Sequence, residues 1–165
     1  MNRLAALACA MLVCTAQAAR IDEQRPLMGT VVQVIAEGED EAALHAAVEG
    51  AYGEMSRLSD MMNHYDPGSV VSAINDAAGV HPVAAPAELM EVLRMAQRMS
   101  ERSHGAFDVT VGSLRGWRFR PDDPRMPSAA EVAAERPLVD WRKLRLDARA
   151  GTAYLERRGM RIDLG

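Results

Sequence analysis

The pattern of apolar and polar positions predicts a strand and then a long helix in the first part of the chain. Residues 27–36 are rich in β-branched side chains, and acidic residues around Gly38 end the run. Apolar residues then recur every three or four positions over residues 44–58, the period of an amphipathic helix. Gly50 and Gly53 lie inside it, where each costs about 1 kcal/mol relative to alanine. We therefore expect close packing at these glycines.

A second group of signals predicts a short helix and another long one. The Asp-Pro-Gly sequence at 66–68 indicates a turn, after which Ser69 can cap a short helix that ends near Asn75. Asn75 is interpreted as its cap rather than as a substrate contact. Pro86 lies in the first turn of the second long helix, and Gly105 can adopt the left-handed conformation that closes it.

The sequence pattern of the last third of the chain predicts mainly strands. A proline-rich loop at 121–127 precedes Ser128 and Glu131, which form a possible capping box for one short helix. Residues 144–147, 152–156 and 160–164 each have the length and composition of a short strand. Because helices come early and strands late, we predict an α+β fold with a largely antiparallel sheet and two long packed helices.

The first residues have the pattern of a secretory signal, which we assign to residues 1–18. Arg3 supplies positive charge, residues 4–14 are an apolar run too short to span a membrane, and Ala-Gln-Ala at 16–18 is a cleavage pattern. We expect cleavage and a free periplasmic chain. The alternatives are a buried core helix, or a lipid anchor on Cys9 or Cys14 that would attach the chain to the inner membrane.

Composition narrows the classes of function. Removal of residues 1–18 removes both cysteines, so residues 19–165 contain no disulfide and no thiolate metal ligand, and stability must come from a hydrophobic core. The net charge of −4 gives no general attraction to nucleic acid. No later segment is long and apolar enough to span a membrane.

Three clusters of residues stand out as candidates for chemistry. They are Arg-Pro-Leu-Met-Gly-Thr at 25–30, Met-Met-Asn-His-Tyr-Asp-Pro-Gly-Ser at 61–69, and Ser-His-Gly-Ala-Phe-Asp-Val-Thr-Val-Gly at 103–112, with Trp117 beyond. Taken alone, Met28 could be core filler and Asp108 could be a residue that satisfies its own turn. Arginines at 115, 118 and 120 could face phosphates or form a surface network.

In this order and at these separations, the clusters resemble the ApbE family of FAD:protein FMN transferases. That family shows a Met-Gly-Thr, a Met-Ser-x-Tyr-like segment, and Gly-Ala-Phe-Asp-x-Thr-x-Gly ahead of a tryptophan. An apolar-Asp-Leu-Gly segment follows, which matches residues 162–165. Asn63 departs from the serine or threonine that is common in the family. We expect the chain to be the N-terminal half of such a domain, truncated at its C-terminus.

The resemblance implies a reaction and a set of ligand contacts. FMN would pass from FAD to a threonine hydroxyl of a target flavoprotein, with release of AMP and with Mg²⁺ neutralising phosphate charge. The family's FAD contacts correspond to Met28, Tyr65, Ala106, Phe107 and Asp108. The family's Mg²⁺ ligands lie after the Asp-Leu-Gly segment, so we expect none here and no transfer by this chain alone. No catalytic residue is assigned.

Two other functions stay open at this point. A hydrolase on the same scaffold would split FAD into FMN and AMP, and a non-catalytic exported domain would bind flavin without turnover. The resemblance implies partners among the flavoprotein subunits of membrane redox complexes.

Overall fold

The computed structural model describes residues 18–120 and 122–164. The predicted signal peptide lies outside these residues, apart from Ala18. The chain forms two compact units, the first ending at Ser56 and the second beginning at Arg57.

The first unit is a β-hairpin followed by most of a long helix. Strands β1 (Ala19–Leu27) and β2 (Thr30–Gly38) pair antiparallel along their whole length. Helix α1 (Glu41–Met62) follows, and the Asp40 carboxylate accepts a hydrogen bond from the Ala43 backbone N–H at its start. The predicted helix is confirmed. The predicted strand corresponds to β2, whereas β1 was not predicted.

The β1–β2 connection is a tight turn made by Met28 and Gly29. Both have positive φ, 54° and 71°, as the two central residues of a type I′ hairpin turn do. The prediction that residues 27–36 form one continuous strand was therefore wrong at its first residues. Left-handed backbone is uncommon for a residue with a side chain, so Met28 is held in a strained conformation on a half-exposed turn.

Helix α1 is fixed to the hairpin by Tyr52. Its buried hydroxyl lies 2.7 Å from the Glu23 carbonyl oxygen of β1 and 3.0 Å from the Val32 carbonyl oxygen of β2. The hydroxyl therefore donates to carbonyl groups of both strands. The Arg25 guanidinium lies over the Tyr52 ring at 4.3 Å and pairs with Glu49, which holds the pKa of that carboxyl below its usual range. The close packing expected at the helix glycines was wrong. A Cβ at either Gly50 or Gly53 would meet no described atom within 4 Å.

In its described residues, the second unit contains the end of α1, three further α-helices and five short strands. The three helices are α2 (Val70–Asp76), α3 (Ala87–Arg102) and α4 (Ala129–Glu135). Its strands are β3 (Val83–Ala84), β4 (Arg118–Arg120), β5 (Asp123–Arg125), β6 (Leu144–Asp147) and β7 (Thr152–Leu155). The main sheet has the order β3-β7-β6 and is antiparallel throughout. β4 and β5 pair separately, and β5 lies within what was predicted to be only a proline-rich loop at 121–127.

The core of this unit lies between α2, α3 and the main sheet. Its fully buried side chains include Ile74, Leu89, Leu93, Leu155 and Ile162. Ser69 caps α2 and Ser128 with Glu131 caps α4 as predicted, while Pro86 is the residue just before α3 rather than within its first turn. The α+β class with antiparallel pairing and two long helices is confirmed. None of the described helices has the length and hydropathy of a membrane span.

The prediction that residues 160–164 form a strand was wrong. Among the described residues this segment pairs with no strand, and its backbone is instead bonded by two side chains and by the 3₁₀ turn at Val109–Ser113. The buried Asn75 amide donates to the Ile162 carbonyl oxygen at 3.0 Å and accepts from the Ile162 N–H at 2.6 Å. Ser113 Oγ accepts from the Arg161 N–H, and the Val109 carbonyl oxygen accepts from the Asp163 N–H, both at 3.0 Å. Asn75 thus satisfies the buried backbone as a neighbouring strand would.

We expect Asn75→Ala to destabilise the protein by about 2–4 kcal/mol, because it leaves the buried N–H and C=O of Ile162 without partners. The measurement is the free energy of unfolding in urea. Asp76→Ala, on the same helix, is the control, since the exposed ion pair between Asp76 and Arg161 contributes little. Equal losses of stability in the two variants would contradict this assignment.

The α4 capping box predicts a dependence of stability on pH. Hydrogen bonds from the Ser128 backbone N–H and hydroxyl, with the nearby Arg125, lower the pKa of Glu131 from 4.5 to about 2. A lowered pKa means that the carboxylate stabilises the folded state above the unfolded pKa, and that this contribution is lost as pH falls from 4.5 toward about 2.

The difference in urea midpoint between the native chain and Glu131→Gln should therefore be largest at neutral pH and shrink over that acid range. In a Ser128→Ala background the difference at neutral pH should be smaller but not lost, because the backbone N–H of residue 128 and Arg125 still contact the carboxylate. A difference that does not change with pH would refute the role of the charge.

Candidate functional site

The second unit contains a cavity of about 900 Å³, within the size range of small-molecule sites. Aromatic and positively charged side chains line it together. The aromatic residues are His64, Tyr65 and Trp117, and the arginines are Arg115, Arg118 and Arg161. Val111, Gly112 and Leu114 supply apolar wall, and Asp163 supplies a carboxylate. Such a lining suits a ligand with flat rings and negative charge.

The loop between α1 and α2 presents Tyr65 at this cavity. Asn63 Oδ1 accepts from the Tyr65 N–H at 2.9 Å, and Ser72 Oγ donates to the His64 carbonyl oxygen at 3.1 Å, so the backbone on both sides is fixed. The Tyr65 side chain is 82% exposed, and its ring centroid lies 3.8 Å from that of His64 at a tilt of 39°. The structure therefore holds an aromatic ring at the cavity with most of its surface available for stacking.

The C-terminal segment forms the opposite part of the lining. Asp163 Oδ1 lies 3.3 Å from His64 Nδ1, so the segment and the Tyr65 loop meet at this pair. Gly112 allows the close approach of the segment to the 3₁₀ turn at Val109–Ser113. A Cβ at Gly112 would lie 3.0 Å from Asp163 Cβ and 3.1 Å from the Arg161 carbonyl oxygen. A side chain there would push the two walls apart.

Asp108 begins that 3₁₀ turn, and both of its carboxylate oxygens already have protein partners. Oδ1 accepts from the Thr110 N–H at 2.8 Å and from the Thr110 hydroxyl at 2.6 Å, while Oδ2 accepts from the Trp141 N–H at 3.0 Å. The turn-forming role is therefore present in the structure. A carboxylate has further lone pairs, so a contact of Asp108 with FAD stays a prediction.

Ala106 and Phe107 lie on an exposed turn after α3. His104 and Gly105 both have positive φ, 54° and 83°, which reverses the chain there. Ser103 Oγ then accepts from the Phe107 N–H at 3.0 Å, and the Phe107 side chain is 45% exposed. Neither Ala106 nor Phe107 belongs to the cavity lining. Their contact with FAD also stays a prediction.

The five predicted FAD contacts are thus divided between the two units of the chain. Met28 belongs to the first unit, on the strained β1–β2 turn, and the other four belong to the second unit. Of those four, only Tyr65 lines the cavity. Sequence reasoning did not assign His64 or Arg161 as site residues: His64 lies within the 61–69 cluster but was given no ligand contact, and Arg161 lies one residue before the apolar-Asp-Leu-Gly segment.

The described residues do not by themselves fit a magnesium site. Within residues 18–120 and 122–164, no three His, Cys, Asp or Glu side chains come together in a metal-binding arrangement. Asp163 is the carboxylate on the cavity lining. A Mg²⁺ ion held by protein requires more oxygen ligands than this, from other protein groups, phosphates or water.

Comparisons with known proteins agree on one family of relatives. The chain is 28% identical to a FAD:protein FMN transferase of Klebsiella pneumoniae over 84% of its own length and 43% of the relative. It is 28% identical to a FAD:protein FMN transferase of Haemophilus influenzae over 92% of its length and 46% of the relative. The chain therefore spans about half the length of the curated relatives that it matches.

Solved structures show the same partial coverage. The flavin transferase ApbE from Vibrio cholerae superposes with a TM-score of 0.74 at 25% identity, over 90% of this chain and 48% of that one. The ApbE protein of Thermotoga maritima superposes with a TM-score of 0.78 at 23% identity, over 88% of this chain and 47% of that one, which is a likeness of fold. Residues 28–165 match the sequence profile of the ApbE family, and the chain therefore belongs to that family.

Proposed function

We propose that this chain is the N-terminal part of an exported FAD:protein FMN transferase, and that its cavity receives FAD. The observation that carries the proposal is the cavity lining, where Tyr65 and Trp117 offer aromatic faces beside three arginine side chains. FAD has two flat ring systems joined by a pyrophosphate, so it presents the complementary chemistry. Family membership and the names of the relatives support the same substrate.

The chain's own residues would bind and orient FAD. An aromatic ring stacked on the flavin or the adenine fixes one end of the molecule. Guanidinium groups at the pyrophosphate neutralise its charge and place the phosphorus for attack. Arg115 is suited to this because its guanidinium contacts the Gly159 carbonyl oxygen at 3.5 Å and forms no ion pair with a described carboxylate.

The proposed reaction is a phosphoryl transfer. The oxygen of an acceptor threonine forms a bond to the phosphorus of the FMN half, and the bond from that phosphorus to the bridging oxygen breaks. AMP leaves with the bridging oxygen, and the threonine proton passes to a base. The described residues do not complete a metal site, so the Mg²⁺ that the family resemblance implies is not assigned to any of them.

We also propose where this protein acts and on which acceptors. The signal pattern at 1–18 supports a periplasmic location, with attachment to the inner membrane as the alternative, and residues 19–165 would be the family domain. The acceptors would be flavoproteins of membrane redox complexes. The reaction is tested by AMP release from FAD in the presence of Mg²⁺, with and without an acceptor threonine peptide, and this chain alone is expected to release none. Release that requires the peptide supports transfer, and equal release without it supports the hydrolase.

Binding to the cavity can be tested separately from turnover. We expect Tyr65→Ala to weaken FAD binding by about tenfold, since a stacked ring contributes about 1–3 kcal/mol. An equal loss for riboflavin would place Tyr65 on the flavin, and a loss for FAD alone would place it on the adenine. Arg115→Gln should weaken FAD binding several-fold and leave riboflavin binding unchanged, because riboflavin has no phosphate. Flavin fluorescence measures both.

Met126→Ala is the matched control, because Met126 is 77% exposed and lies outside the cavity lining. It should bind both flavins as the native chain does. Unchanged flavin binding in Tyr65→Ala would contradict the proposal that FAD binds in this cavity.

A further inference from the structure

A second, open groove lies on the second unit, between α3 and the segment that leads into β6. Its volume is about 420 Å³, and it shares no lining residue with the cavity. Four arginines line it, with Glu101 as the single carboxylate: Arg94, Arg98, Arg142 and Arg145. The whole chain carries a net charge of −4. The groove is therefore opposite in sign to the protein as a whole.

One wall of the groove is the exposed face of α3. Arg94 and Arg98 are separated by four residues, which places them about 6 Å apart along the helix axis. Arg94 Nε donates to the Met90 carbonyl oxygen at 3.1 Å. The Arg98 side chain forms no hydrogen bond or ion pair with any residue that the structure describes. Most of the donors on this wall are therefore available to a ligand.

The other wall carries two arginines that are already held in position. The Arg142 guanidinium lies 4.9 Å from the centre of the Trp141 ring and 3.4 Å from the Asp140 carboxylate. Arg145 pairs with Glu156 through its Nε. A guanidinium has five N–H donors, so each of these contacts leaves donors for a second carboxylate.

The edge of β6 at the groove is poorly suited to pairing with an added strand. β6 is the last strand in the order β3-β7-β6, and its Leu144 carbonyl oxygen accepts a hydrogen bond from Gln97 Nε2 at 2.6 Å. This outward-facing acceptor of the edge is therefore already satisfied. Recognition at the groove must come mainly from the arginine side chains rather than from strand addition.

The spacing of the arginines favours an extended ligand over a small anion. In an extended chain, side chains two residues apart are about 6.5–7 Å apart on one face, which is close to the separation of Arg94 and Arg98. Carboxylates at alternate positions could therefore pair with both arginines at once, and a guanidinium binds a carboxylate through two parallel hydrogen bonds. A single small anion would reach fewer of the four.

We propose that this groove docks an extended acidic segment of a protein partner, with carboxylates at alternate positions. The proposal does not depend on the flavin function. The groove is nonetheless joined to the motif at 103–112, because Trp141 lies on its lining and the Trp141 N–H donates to Asp108.

The test is fluorescence anisotropy with a labelled eight-residue peptide that has glutamate at alternate positions, added to the 165-residue chain. We expect saturable binding that weakens as salt is added. The double variant Arg94→Glu with Arg98→Glu should lose at least about tenfold in affinity. Arg102→Glu with Arg149→Glu changes the charge equally at two exposed arginines outside the groove, and should lose no more than about twofold.

Circular dichroism shows whether each variant is folded. If the groove double variant is not, Arg142→Ala replaces it, with an expected loss of at least about threefold. Four results would overturn the proposal: no saturable binding; equal losses in the two double variants; equal binding of a peptide with all its glutamates at one end; or displacement of the peptide by pyrophosphate at equal concentration.

Discussion

The pair of hydrogen bonds between Asn75 and Ile162 is the interaction on which the second unit depends most. The last described segment is paired with none of the described strands, yet Ile162 is fully buried. Its backbone N–H and C=O would each cost about 1–3 kcal/mol if they were left unpaired. A single side-chain amide carries an NH₂ donor beside a carbonyl acceptor, at the separation needed to satisfy both. Asn75 therefore fixes α2 to a segment 87 residues later in the chain.

The cavity follows from that arrangement. Arg161 and Asp163 flank Ile162, and both line the cavity. Because alternate residues of an extended segment face opposite ways, burial of Ile162 turns its two neighbours away from the core. Gly112 lets the 3₁₀ turn approach the segment, and the pair between His64 and Asp163 brings in the loop that carries Tyr65. The same contacts that stabilise the unit thus place charged and aromatic side chains around one space.

Features with local causes could be predicted from the sequence, and features with distant causes could not. The Ser69 cap and the capping box of Ser128 are each decided within four residues, so the sequence indicates them directly. β1 was missed because its nine residues, ARIDEQRPL, are mostly polar and become a strand by pairing with β2. Asn75 was interpreted as a cap because its partner is remote. Tyr65 as a site residue came from the family resemblance, and its position on the cavity is a result of the tertiary fold.

The claim that FAD occupies this cavity can be tested most directly with the two tryptophans of the chain. Trp117 lines the cavity, whereas the indole N–H of Trp141 is buried with no hydrogen-bond partner among the described residues. Each gives its own indole signal in a ¹⁵N-correlated NMR spectrum, assigned by single Trp→Phe variants. During an FAD titration the Trp117 signal should shift in a saturable way and by more than the Trp141 signal. A saturable shift of Trp141 with Trp117 unchanged, or no shift of either signal, would contradict the account.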